Sequence, residues 1–131
     1  MPRELINPPE LHPAPGFSHI AVAKGQRTIH FAGQLGIGRR FELLAGDLYA
    51  QTAAAMRNVK AAMDVVGVGW DDIVRRTIYT TQPTEYETIT AAIDEVTGGA
   101  GHPAQTIVGV TGLAVPGCLI EIECTASVRL P

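Results

Sequence analysis

The chain carries little charge for its size. Lys, Arg, Asp and Glu make up only 18% of its 131 residues, and the net charge is -3. Its basic residues occur as pairs such as Arg39-Arg40 and Arg75-Arg76, without a longer run. Nucleic-acid binding depends mainly on clustered Lys and Arg, so we expect no nucleic-acid partner. The low charged fraction also indicates a surface that self-association covers.

Cysteine is scarce, and long apolar runs are missing. Cys118 and Cys124 lie too close along one predicted strand for an easy disulfide, and they lack the partner spacing of a metal site. We therefore expect free thiols in a reducing compartment, with no metal or other cofactor. Residues 1–17 contain no apolar core of signal-peptide length, and no segment reaches the ~18 apolar residues of a membrane span. These features predict a cytoplasmic protein with no membrane partner.

The length and the pattern of elements fit a single domain over residues 1–131, with 46% hydrophobic residues to build its core. Residues 1–16 are rich in proline and predict an extended arm. Two short apolar runs, 20–23 and 28–33, are separated by KGQR, which indicates a hairpin. A minor strand is expected at 41–44.

Helical spacing predicts a long helix that opens at Gly46-Asp47 and stops before Gly67. Alternation predicts a strand over 73–81. Thr84 and Glu87 have capping-box spacing for a second helix, which ends at Gly98-Gly99. Two further strands follow, and the order predicts an α+β sandwich with both helices on one face of a mostly antiparallel sheet of five to six strands.

The last strand alternates between an apolar face and a face that carries Glu121 and Glu123. If the strand from Gln105 to Thr111 is its neighbour, the two acids lie beside Gln105 and Ile107. Such a mixed polar and apolar lining is typical of a pocket or a subunit seam. A solvated sheet face fits the same pattern, and the residues alone leave both interpretations open.

Nearly the whole chain resembles the Rid/YjgF group of imine deaminases, which are also known as L-PSP endoribonucleases or translation inhibitors. The resemblance rests on PGFSHIAVAKG, IHFAGQLG, NVKAAMDVVGVGWDDIVRRTIY, HPAQTIVGV and IEIECTASV. It implies a chorismate-mutase-like fold and a homotrimer whose sheets form a central barrel. It also implies small-molecule sites in the clefts between subunits. The neighbouring subunits of such a trimer would cover the open face of the sheet.

The resemblance carries the family site over only in part. Glu121 matches the glutamate that orients the attacking water, which makes it the candidate general base. Gln105 stands in the motif Pro103-Ala104-Gln105-Thr106 where active deaminases have the arginine that clamps the substrate carboxylate. A neutral amide cannot reproduce that charged, two-pronged donor. Three further positions also depart from the family pattern: Phe17 replaces a tyrosine, Ala32 replaces the serine that precedes Gly33, and Thr90 replaces an asparagine.

The candidate substrate-binding residues are therefore Gln105, Phe17, Ala32, Gly33, Thr90, Ile107 and His19. Glu121 can alternatively bond to backbone amides or pair with an arginine. His19 and His30 are candidates for proton transfer, although a lone histidine on a strand is more often a packed or surface residue.

The predicted function is hydrolytic deamination of a small imine or enamine that lacks the usual carboxylate. Two alternatives stay open at this point. One is a non-catalytic trimer that binds a small molecule, and the other is an endoribonuclease, which the sequence pI of about 5.7 disfavours.

Overall fold

The structure, a computed structural model, describes residues 3–129. This range forms six strands and two α-helices in the order β1 (Arg3–Ile6), β2 (Ile20–Ala23), β3 (Arg27–Leu35), α1 (Leu48–Val65), β4 (Ile73–Thr80), α2 (Tyr86–Thr97), β5 (Ala104–Gly109) and β6 (Ile120–Val128). Four strands form one sheet in the order β3-β6-β4-β5, while β1 and β2 form a two-stranded ribbon. Only the β4–β5 pair is parallel among these strands. The predicted α+β fold with a mostly antiparallel sheet is confirmed.

The two helices pack together over one face of the four-stranded sheet. Their apolar stripes and the inward residues of the central strands form the core, whose fully buried large members are Met56, Met63, Val59, Ile78, Ile89, Ile93, Ile120 and Ile122. The inward phase of β6 is the predicted one. No helix between residues 3 and 129 combines the length and apolar character that crossing a membrane requires.

The helix boundaries follow local signals in most places. Asp47 caps α1 by accepting a hydrogen bond from the Ala50 amide at 2.8 Å. Gly98 ends α2 in the left-handed conformation, with φ of 71°. The capping box predicted at Thr84 is wrong, because α2 begins later, at Tyr86, and its first turn has no side-chain cap. Thr84 therefore lies too early to cap the helix.

The hairpin predicted between β2 and β3 is wrong. β2 pairs with β1, while β3 pairs with β6. Part of the predicted arm is thus a strand, and Arg3 ties it to the domain by donating to the Ile73 carbonyl at 2.5 Å and the Gly101 carbonyl at 3.0 Å. The minor strand expected at 41–44 reduces to a single bridge between Ile37 and Leu43.

β6 lies between β3 and β4 and does not pair with β5, so the expected pairing of the two terminal strands is also wrong. β4 pairs Arg76 with Gln105 on one side, and Tyr79 with Glu121 on the other. Residues paired across strands share a sheet face, and successive residues alternate between faces. Gln105 and Ile107 therefore lie on the helix-covered side of the sheet, whereas Glu121 lies on the open side.

Candidate functional site

A cavity of about 570 Å³ lies between the N-terminal segment, the start of α2 and strand β5. Its lining comprises His12, Pro13, Pro15, Phe17, Pro83, Tyr86, Thr90, Gln105, Thr106 and Ile107. We call it the α2–β5 cavity. Its volume lies within the usual range for small-molecule sites, and most of its lining side chains are apolar.

The N-terminal segment is held against this cavity by specific contacts. Ser18 is buried, its amide donates to the Pro103 carbonyl at 2.9 Å, and its hydroxyl donates to the His102 carbonyl at 2.7 Å. Gly16 adopts a φ of +77°, and a Cβ built there would lie 2.4 Å from the Thr90 hydroxyl oxygen. Glycine is thus required both for the backbone conformation and for the close approach to α2. These contacts fix Phe17 in the wall of the cavity.

Three rings form a small cluster at the outer end of the cavity. Phe17 lies edge-on to His19, with a centroid distance of 5.2 Å, and His12 lies 4.6 Å from His19. A ring nitrogen of His19, Nε2, lies 2.8 Å from the His12 carbonyl. A carbonyl only accepts, so Nε2 must carry the proton. His19 therefore supports the segment that carries Phe17 and does not itself line the cavity.

Gln105 is held by a buried arginine on the neighbouring strand. Arg76 is only 3% exposed, and its Nε donates a hydrogen bond to Gln105 Oε1. Its Nη2 donates to the Gly16 carbonyl at 3.2 Å. Burial lowers the pKa of Arg76 to about 10, which leaves the guanidinium protonated at neutral pH. A positive charge thus lies directly behind Gln105.

His102 links this arginine to Asp94. Arg76 Nη2 lies 2.9 Å from His102 Nδ1, and His102 Nε2 lies 3.0 Å from Asp94 Oδ1. Since Arg76 can only donate, Nδ1 must be the unprotonated nitrogen and Nε2 must carry the proton. Burial and the charge of Arg76 lower the pKa of His102, which agrees with a neutral imidazole.

Glu121 occupies the open face of the sheet beside Gly33. A Cβ built at Gly33 would lie 2.6 Å from Glu121 Oε2, so a side chain there would displace the carboxylate from its present position. Glu121 is half-buried, and its side chain forms no hydrogen bond or ion pair with any residue of the described range 3–129. Glu123 differs, because it accepts a hydrogen bond from the Tyr79 hydroxyl at 2.7 Å, and this bond raises the Tyr79 pKa. Within residues 3–129, neither a backbone amide nor an arginine contacts the Glu121 carboxylate.

The structure therefore divides the predicted site residues into two groups. Phe17, Thr90, Gln105 and Ile107 line one cavity on the helix side, with His19 behind Phe17. Ala32, Gly33 and Glu121 lie together at the β3–β6 pair, around the irregularity between Phe31 and Gln34. His30 is exposed and bonds to Thr125 at 3.2 Å, away from the cavity. Within one chain, Glu121 and the candidate binding residues that line the α2–β5 cavity therefore face opposite sides of the sheet.

Sequence reasoning missed Arg76, Asp94 and His12. The signal for Arg76 was present, because it shares the inward phase of β4 with Ile78 and Thr80 and breaks an otherwise uncharged face. Asp94 and His12 carried no comparable signal. Among residues 3–129 no cluster of three or more His, Cys, Asp or Glu side chains is arranged to hold a metal ion. Both cysteines are free and buried, and burial raises the pKa of Cys124 to about 12.

Known proteins are similar to this chain in sequence and in fold. The family model described as Endoribonuclease L-PSP matches residues 8–128. The crystal structure of YyfB of Yersinia pestis, a Rid family protein of unknown function, has a TM-score of 0.90 and 38% sequence identity, covering 98% of this chain and 100% of the other.

Two protein sequences are similar along most of their length. A RutC family protein of Pyrococcus horikoshii is 28% identical over 115 residues, which is 87% of this chain and 90% of the relative. A protein of Dermatophagoides farinae, named 2-iminobutanoate/2-iminopropanoate deaminase, is 26% identical over 123 residues, which is 93% of this chain and 94% of the relative.

Proposed function

This chain belongs to the endoribonuclease L-PSP family, which includes the Rid/YjgF proteins, and we propose that it is a hydrolytic deaminase of a small imine or enamine. One observation carries the proposal. Four residues chosen from sequence as substrate-binding, Phe17, Thr90, Gln105 and Ile107, meet in one cavity of ligand size. The deaminase name of the Dermatophagoides farinae relative supports the same reaction class.

The proposed active form is a homotrimer with three sites between subunits. In each site, the α2–β5 cavity of one copy would face Ala32, Gly33 and Glu121 of a neighbouring copy. This arrangement would bring the two groups of residues together although they lie on opposite faces of the sheet in one chain, because the neighbouring subunit would supply Glu121 to the cavity. Exposed apolar side chains support self-association, with Phe41 71% and Leu44 53% exposed.

Glu121 would act as the base in this reaction. Its carboxylate accepts a proton from water while the water oxygen bonds to the C=N carbon, and passing that proton to the imine nitrogen gives a carbinolamine. Glu121 then takes the hydroxyl proton of the carbinolamine and delivers it to the nitrogen as the C–N bond breaks, which releases a carbonyl compound and ammonia. An enamine enters the same route after tautomerising to the imine. The absence of a partner for Glu121 among the described residues leaves both of its oxygens available to water.

The preferred substrate would lack the carboxylate that arginine-bearing deaminases clamp. Charge-assisted hydrogen bonds contribute roughly 1.5–3 kcal/mol each, so losing two of them weakens the binding of a carboxylate-bearing imine by about two to four powers of ten. Phe17, Ile107 and the prolines give the cavity apolar walls, which suit a neutral compound.

An oxidase-coupled assay tests the proposal. An amine oxidase generates imines without a carboxylate, while an amino-acid oxidase generates imines with one, and ammonia release is followed in both. We expect the protein to accelerate ammonia release from the amine-derived imines more than from the amino-acid-derived ones. Glu121→Gln should abolish the acceleration, while the matched variant Glu123→Gln, on the same face of the same strand, should retain it.

A non-catalytic trimer that binds a small molecule is the second candidate, and Gln105 at the arginine position favours it. It predicts ligand binding in the cavity with no acceleration from either oxidase. Equal loss of activity in Glu121→Gln and Glu123→Gln would refute the specific role of Glu121 as base.

A further inference from the structure

We propose that Arg76 is a positioning residue that makes Gln105 donate a hydrogen bond into the α2–β5 cavity, so that the ligand is recognised through one carbonyl-type acceptor oxygen. This inference deepens the proposed function and rests on it for the use of this cavity. The group of the ligand that the site would bind is a carbonyl-type oxygen.

The orientation of the Gln105 amide follows from the chemistry of its partner. A guanidinium has only N–H donors, so the end of the amide that meets Arg76 Nε must be the oxygen. The amide nitrogen is then the end left for other partners. Among residues 3–129 no protein acceptor takes a hydrogen bond from it, and Gln105 lines the cavity. Its two N–H groups are available to a ligand.

The buried charge strengthens this donor. In the described range, Arg76 touches no carboxylate, and its nearest anionic partner, Asp94, is reached only through neutral His102. The positive charge behind the Gln105 oxygen polarises the amide and makes its N–H a better donor. Arg76 also donates to the Gly16 carbonyl, so the same side chain fixes the cavity wall and the direction of its donor.

The rest of the lining does not provide an equivalent group. The walls near Gln105 are apolar at Phe17 and Ile107, and the Thr90 hydroxyl rotates to donate or accept. The Thr106 hydroxyl accepts a hydrogen bond from Arg75 on the opposite face of the sheet. Gln105 is therefore the one lining amide whose donor direction is set by a buried cation. A neutral carbonyl oxygen, as in an ester or amide, satisfies it with a single hydrogen bond.

Two small probes that differ at one group test the inference. Methyl 2-oxobutanoate offers only acceptors, whereas 2-oxobutanamide offers an acceptor and an N–H donor. Titration calorimetry of the full chain gives the affinity of each probe. We expect the wild-type protein to bind both, with affinities within about fivefold, because each presents the carbonyl oxygen that a single hydrogen bond requires.

Gln105→Glu is the decisive variant. The new carboxylate can pair with Arg76, which keeps the buried charge partnered, and it presents an acceptor to the cavity in place of the donor. The ester should lose roughly tenfold or more in affinity, while the amide, which can donate to the carboxylate, should lose less than about threefold. The ratio of the two affinities is insensitive to a general loss of stability.

Arg76→Met tests the positioning role, with Arg75→Met as the matched control. Without Arg76 the Gln105 amide is free to turn, so the ester-to-amide affinity ratio should fall about threefold or more. Arg75 is the next residue of the same strand on the opposite face, where it donates to Thr106 at 2.8 Å, and its variant should leave the ratio unchanged. If Arg76→Met does not fold, the Gln105→Glu ratio decides.

Nitrogen-15 NMR reports on the donor directly. The side-chain amide signals of Gln105, identified by their absence in Gln105→Glu, should shift when the ester is added. An ester affinity unchanged in Gln105→Glu, a wild-type protein that binds neither probe, or amide signals that do not move would each overturn the inference. Probe binding does not require turnover, so a protein that binds as expected but releases no ammonia would refute the deaminase proposal alone.

Discussion

Gly16 combines a left-handed backbone conformation with close packing against Thr90 of α2. Its φ of +77° is a conformation that side-chain-bearing residues rarely adopt. A Cβ there would lie 2.4 Å from Thr90 Oγ1, 2.8 Å from Thr90 Cγ2 and 3.2 Å from Thr90 Cβ. Gly16→Ala thus combines backbone strain with a steric clash, and both act on the wall of the α2–β5 cavity.

The two contributions can be given magnitudes separately. A left-handed conformation costs a non-glycine residue about 1–2 kcal/mol. Forcing an extra carbon into a packed site costs about 1–3 kcal/mol. We therefore expect Gly16→Ala to lower the free energy of unfolding by about 2–5 kcal/mol.

Gly67 is the matched control for the backbone contribution. Its φ is +71°, and nothing lies within 4 Å of a Cβ built there. Gly67→Ala should therefore cost only the conformational share of about 1–2 kcal/mol. The difference between the two variants gives the cost of the clash.

Thr90→Ala tests the clash from the other side. It removes the two nearest atoms and leaves only the contact to Cβ at 3.2 Å, so Gly16→Ala should cost about 1–2 kcal/mol in that background. The coupling between the two changes should be about 1–3 kcal/mol in the stabilising direction. Gly67→Ala and Thr90→Ala should be additive.

Urea unfolding followed by the fluorescence of Trp70, the single tryptophan, measures these free energies. All variants are compared at one protein concentration, because association would stabilise the folded chain. The reasoning is refuted if Gly16→Ala is no worse than Gly67→Ala, or if Thr90→Ala gives no relief.

Three further predictions concern buried Gln51, the protonation of His102 and the association of the chain. Gln51 is fully buried and bonds to Ala45 O, Gly117 O and Leu119 N, so Gln51→Leu should lower the unfolding free energy by roughly 2–5 kcal/mol in urea melts. Because the pKa of folded His102 lies below its usual value near 6.5, the unfolded chain binds the proton first. Stability should then fall as pH drops below about 6.5, and a His102→Asn variant should lack this share of the fall in pH-dependent melts. Light scattering should give the mass of a trimer, and a stable monomer at micromolar concentration would contradict the proposed assembly.

Elements with local signals were predictable from the order of the amino acids alone. Side-chain spacing predicts the long helix α1 over Leu48–Val65, and a single capping residue, Asp47, marks its start. The end of α2 is likewise marked by one residue, Gly98. The inward phase of β6 follows from simple alternation. Each of these depends on residues within a few positions of one another, so the printed order of amino acids contains the information. Gln105 and Thr90 were chosen by family resemblance, which also depends only on the order of residues in the sequence.

Which strands pair with one another became evident only in the folded chain. Alternation assigns two faces to each strand, but which face of one strand matches which face of another depends on their neighbours and register. The insertion of β4 between β5 and β6 placed Gln105 and Glu121 on opposite faces, and it brought Arg76 against Gln105. Pairing over 29 residues of chain has no local signature, because it is selected by how well the whole sheet and both helices bury their apolar sides.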